Sequence, residues 1–233
     1  MIYEDITQTI GRSLKHRLFL ATYGGLGAAL CVIQLASPHP DLLALPLILS
    51  FILVSGLRAA FNFPAELSAN WTFRIAEADH TREALRAMRK WMLSCAIVPL
   101  FVLLAPLEFQ RFPPNQALFH IAFGLTLSLL LMDVMFWGFR KVPFTCSYFP
   151  GKVNLVGLSA IYVFGFTTYS ATMAGVEAQL QQMPLAAAVF FAVAIVVHLV
   201  LRWTRDHLMG RAARLEYDAA NDPVVRTLDL ASR

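Results

Sequence analysis

The sequence has little of what a soluble enzyme uses. Charged residues make up only 15% of its 233 positions, against about 25% in an ordinary soluble domain. Its three cysteines, Cys31, Cys95 and Cys146, form no CxxC pair, which argues against a disulfide framework and a cysteine zinc site. No HExxH, GxSxG or clustered acidic motif is present, so a membrane protease, an esterase and a metal-dependent transferase all lack their signatures. Phe149-Pro150-Gly151-Lys152 is no P-loop, which needs GxxxxGK followed by Ser or Thr between a strand and a helix. Low-complexity tracts and convincing internal repeats are also missing, which removes support for an inverted transporter duplication. No catalytic, metal-binding or cofactor-binding residue is expected, and no cofactor.

What the chain does have is apolar length. Hydrophobic residues reach 58%, with 18 phenylalanines, and the mean hydropathy is +0.59. They come in runs of the length that a helix needs to cross about 30 Å of hydrocarbon at about 1.5 Å per residue. The expected fold is all-α: a polytopic transmembrane helical bundle of six spans at residues 17–36, 42–62, 91–107, 117–139, 153–174 and 184–201. Residues 1–16 read as a short polar lead and 202–233 as a polar tail. The first apolar run outlasts a signal-peptide core and is expected to stay as a membrane helix. Its Ala21, Gly25 and Ala29, four apart, form a small-residue face suited to close helix contact.

Between spans two and three, the stretch from Ile75 repeats apolar residues at Ile75, Ala78, Leu85, Met88 and Met92, with Arg82, Arg86, Arg89 and Lys90 among them. That pattern predicts an amphipathic helix lying along the membrane interface. Orientation follows from the cations. With six spans, every lysine and arginine except Arg111 falls on one side, so both termini are expected in the cytosol by the positive-inside rule. The net charge of +4 therefore points to membrane placement, and no nucleic-acid partner is expected.

Few residues stand out for chemistry. Asp133 is the one charge inside the fourth run, and an acid at that depth must be paired, hydrated or neutral. Arg58, near the cytoplasmic end of span two, lies at a similar depth and is the expected partner. Tyr162, Phe166 and Tyr169, with Thr168 near the outer end, give the fifth span a polar face fit for helix–helix hydrogen bonds or a wet path. His120 and His198 are placed near opposite membrane faces and cannot share a metal. The loop of Pro143, Phe144, Cys146, Tyr148, Pro150, Gly151 and Lys152 reads as a rigid turn, and with Trp71 and Arg74 as a cytoplasmic partner surface. A thiol nucleophile at Cys146 needs a base and an orienting group, and spacing supplies neither.

Two stretches, FNFPAELSANWTFR (61–74) and KVPFTCSYFPGK (141–152), resemble segments of uncharacterised bacterial multi-pass inner-membrane proteins. The resemblance implies a bacterial inner membrane and a shared cytoplasmic surface, and it carries no activity over to any residue. On the residues alone, a permease-like component for a small or amphiphilic substrate is the first expectation. A scaffold binding a partner protein or subunit through its cytoplasmic loops is the second, and a membrane enzyme the third. Membrane lipid is a partner under all three.

Overall fold

The computed structural model describes residues 2–38, 42–62, 77–137, 144, 164–166 and 168–212, and all regular structure among them is helical. In chain order the helices are α1 (Ile2–Arg12), α2 (Leu14–Leu35), α3 (Ala44–Ala60), α4 (Glu77–Met92), α5 (Val98–Arg111), α6 (Pro114–Phe136), α7 (Met173–Leu180) and α8 (Pro184–Ala212). Two π-helical turns, Leu93–Ile97 and Thr168–Thr172, lead into α5 and α7.

Four stretches are long and apolar enough to cross a bilayer: Leu14–Leu35, Leu85–Arg111, Pro114–Phe136 and Pro184–His207. Their outward faces are apolar too. Leu18, Val32 and Ile33 on α2, and Leu185, Val193 and Val196 on α8, are exposed. Apolar surface on this scale suits lipid and not water. The chain is a membrane protein.

The centre of the bundle is α3, packed between α2, α6 and the Thr168–Thr172 turn. At 17 residues it is about 26 Å long, shorter than the four stretches above. Most of its side chains are buried against protein, so lipid contact makes little demand on its length. Prolines decide several helix starts: Pro114 and Pro184 open α6 and α8, where a missing N–H costs nothing.

Pro99 has a different effect. In a regular helix its ring collides with the carbonyl of Cys95 four residues back. The wider π turn at Leu93–Ile97 lies at that place and lets the helix continue. Residues 77–111 consequently form one rod. This corrects the expected interfacial helix: Leu85, Met88, Trp91 and Met92 are buried in the protein's own core and not in a lipid surface.

Three further expectations change. Residues 2–12 are no mere polar lead, since Ile6 is buried and α1 packs along α4, where Trp91 Nε1 donates to Thr7 Oγ1 at 2.8 Å and Tyr3 OH meets Ser94 Oγ at 2.9 Å. At the other terminus, the first part of the expected tail continues α8 to Ala212. The face of Ala21, Gly25 and Ala29 is exposed; α2 meets α3 instead at Gly27, against Ile52, and through Tyr23, whose ring fills the space over Gly56. A small residue admits close contact only where a bulky one faces it, and spacing does not say which face that is.

The tightest such contact joins α5 and α6, where a Cβ on Gly124 would lie 2.6 Å from Phe101 Cε1. Phe101 is buried and its ring has nowhere to swing. Gly124→Ala is expected to destabilise by about 1–3 kcal/mol through overpacking. Gly25→Ala, where the new carbon meets nothing within 4 Å, is expected to be neutral or stabilising by up to about 1 kcal/mol. Thermal unfolding midpoints of the two variants in one detergent compare them directly.

Candidate functional site

Helix α6 carries an ionisable side chain near each end, His120 and Asp133, both 1% exposed. Thirteen residues of helix separate them by about 20 Å. Each is the hub of a buried polar cluster reaching into other helices.

Asp133 joins three helices. Its Oδ1 accepts from Arg89 Nη2 of α4, and its Oδ2 accepts from His198 Nδ1 of α8 at 2.5 Å. Arg205 Nη1, also on α8, lies 3.8 Å from Oδ1, and its Nη2 is 3.5 Å from Asp206 Oδ1. The carboxylate is fully enclosed, so these cations replace the water it gave up. Arg58, the expected partner, donates through Nε to the carbonyl oxygen of Met135 at 2.5 Å, two residues further along α6. The salt bridges seen on Asp133 come from Arg89 and Arg205. Those two come from segments assigned to the interface and the tail.

The second cluster was not foreseen as a unit. His120 lies between two glutamates: Nδ1 is 2.6 Å from Glu177 Oε1 on α7, and Nε2 is 3.6 Å from Glu108 Oε1 on α5. Gln181 Nε2 donates to Glu177 Oε1 at 3.2 Å, and the Phe112 ring lies 6.1 Å from the imidazole. Glu177 is completely buried and Glu108 nearly so. Glu108 Oε2, His120 Nε2 and Glu177 Oε2 are buried without a hydrogen-bond partner among the described residues. Because the two ring nitrogens face different carboxylates, no common centre forms. Among the described residues no group of His, Cys, Asp or Glu could hold a metal ion.

Two cavities stand out among the described residues. One, of about 380 Å³, is lined by Asn115, Gln116, Phe119, Gln181, Ala187 and Phe191, so Gln181 connects it with Glu177. The other, of about 400 Å³, is almost wholly apolar and lies between α2, α3 and the α4–α5 rod, bordered by Tyr23, Gly27, Ile52, Gly56, Trp91 and Leu100. Asp133 lines neither.

The remaining expected site residues divide. Tyr169 turns toward α3, its OH 3.3 Å from Ser50 Oγ and its ring against Phe51, while Thr168 is exposed. The two therefore do not share one inward face. Phe144, expected on a partner surface, is buried instead: its ring packs against Phe61 and His16, and its N–H donates to the Phe61 carbonyl at 3.0 Å. It holds a φ of 65°, a conformation that costs a non-glycine residue about 1–3 kcal/mol. Trp71, Arg74, Pro143, Cys146, Tyr148, Pro150, Gly151, Lys152 and Tyr162 lie outside the described residues.

Comparison with known proteins gives no match: no family model, no curated protein and no solved structure aligns with the chain. The bacterial affiliation implied by the two short stretches gains no support from these comparisons.

Removing Asp133 leaves the part-buried Arg89 and the buried Arg205 without the carboxylate they share. Asp133→Ala is expected to destabilise by about 3–5 kcal/mol, the usual cost of breaking a buried ion pair from one side. Asp133→Leu combined with Arg89→Met is expected to lose less than the sum of the two single changes, since neither member of that pair is left charged without the other, while Arg205 is stranded equally in the Asp133→Leu single and double variants. Denaturant unfolding of the four proteins completes the cycle.

Proposed function

We propose that this chain is a permease-like component of a bacterial inner membrane, moving an amphiphilic substrate, with both termini in the cytosol. The observation that supports it most directly is the pair of buried ionisable clusters at opposite ends of α6. Ionisable groups inside a membrane bundle are costly, and where they persist they often line or gate a pathway. The apolar cavity between α2, α3 and the α4–α5 rod suits an acyl chain by its volume and lining. Cations concentrate at the Asp133 end, where Arg58, Arg89 and Arg205 meet α6 and α1 packs on α4. That end faces the cytosol in this reading, and the His120 end faces away from it.

A second reading, a scaffold for a partner protein, draws on Asp133. Its carboxylate is closed off by side chains and lines neither cavity, as a purely structural clamp would be.

Reconstitution separates the two. Full-length protein in liposomes containing a fluorescent-tailed phosphatidylglycerol is expected to exchange the probe between leaflets well above protein-free vesicles, as read by quenching with an impermeant reductant. Trp replacing Gly27 in the apolar cavity is expected to reduce that exchange several-fold. Exchange no faster than in protein-free vesicles favours the scaffold.

A further inference from the structure

We infer that Glu108, His120 and Glu177 form a proton-binding site, loaded from the face of the membrane opposite α1 through the polar mouth at Asn115, Gln116 and Gln181. The inference deepens the permease reading, on which its transport meaning rests, by naming the proton as the coupled ion. Charge is the first argument. With a neutral imidazole, two carboxylates place a formal charge of −2 among apolar side chains; one bound proton makes it −1 and two make it neutral. A buried medium penalises the larger charge steeply.

Geometry is the second. Nδ1–H of His120 donates to Glu177 Oε1 at 2.6 Å, which leaves the Nε2 lone pair facing Glu108 Oε1 across 3.6 Å. A proton delivered by hydronium at the cavity forms the Nε2–H bond with the imidazole lone pair, and the water released keeps the electron pair of the O–H bond that breaks. The new charge-assisted contact closes toward about 2.8 Å, which tightens the Glu108–His120 link between α5 and α6. A second proton goes to Glu108 Oε2 or Glu177 Oε2, the two carboxylate oxygens left without partners. Because the three groups are coupled, their protons belong to the cluster and not to one residue.

No other described ionisable group intrudes. α5 brings Glu108, with Arg111 exposed at its end, α6 brings His120, and α7 brings Glu177. The first ionisable residue of α8 is His198, which belongs to Asp133, and the only one of α3 is Arg58 at its far end. Cys31 of α2 packs in the neighbouring apolar cluster, and Tyr169 is held by Ser50. A metal ion is a poorer fit, since the imidazole bridges the carboxylates and does not converge on a point with them.

The test is proton counting on full-length protein in lipid nanodiscs stepped between about pH 8 and about pH 5. Dye-detected uptake is combined with infrared difference spectra in the carboxylic C=O region. Wild type is expected to show a buried-carboxyl band; His120→Gln is expected to lose about one proton of uptake per chain, and Glu177→Gln or Glu108→Gln to diminish the band. Nitrogen-15 histidine spectra of the wild type require no variant to fold, and one ring is expected to change protonation in step with the band. Uptake and band unchanged in folded variants, or no buried band in the wild type, overturns the site. Site-dependent uptake without probe exchange keeps the proton site and removes the permease reading; exchange without site-dependent uptake does the reverse.

Discussion

A charge in an apolar bundle must find its counter-charge within reach of a side chain, and that constraint governs how α4, α6 and α8 assemble. Asp133 has no water to turn to, so it draws Arg89 down from α4 and His198 and Arg205 across from α8. Helices that meet lipid gain nothing from the hydrophobic effect by meeting each other. Specific polar contacts and close packing therefore carry more of the assembly than in a soluble protein. Close packing acts at Gly56 and Gly124, where an aromatic ring from the next helix occupies the room a side chain would take.

Much of this architecture was legible. Long apolar runs located Leu14–Leu35, Pro114–Phe136 and the start of the helix at Pro184 to within a few residues, because a bilayer demands about twenty apolar residues in a row. Proline and polar residues marked the breaks. The α4–α5 rod was divided in two because its amphipathic part has the composition of a surface helix, and composition does not reveal whether an apolar face meets lipid or protein. Its Leu85 and Met88 meet protein.

The site was legible only in part, for a reason visible in its residues. Asp133 drew notice as a lone acid in a span. Glu108 and Glu177 did not, since the expected spans stopped at 107 and 174, while the helices run on to Arg111 and Leu180. A few residues at each helix end decided whether an acid counted as buried. Arg89 and Arg205 were missed as partners in the same way. Spacing within one helix says little about such contacts, because each polar cluster is built from three different helices. Phe144 shows the same limit, since its inward turn depends on Phe61 and His16 and on a positive φ that no local residue pattern announces.

The two clusters on α6 differ in how completely they are satisfied. Both oxygens of Asp133 have cationic or imidazole partners, and only Arg89 Nε is buried there without a hydrogen-bond partner among the described residues. Such a knot resists change, because any movement of α4 or α8 strands a charge. At the other end His120 has one short contact and one long one, and three buried polar atoms stand without partners among the described residues. An arrangement left incomplete has a second state available in which the long contact shortens. Under the proton site proposed above, protonation changes the contact between α5 and α6 at the His120 face, while the Asp133 face holds the bundle together. The His120 face is the one where Gln181 links Glu177 to a cavity.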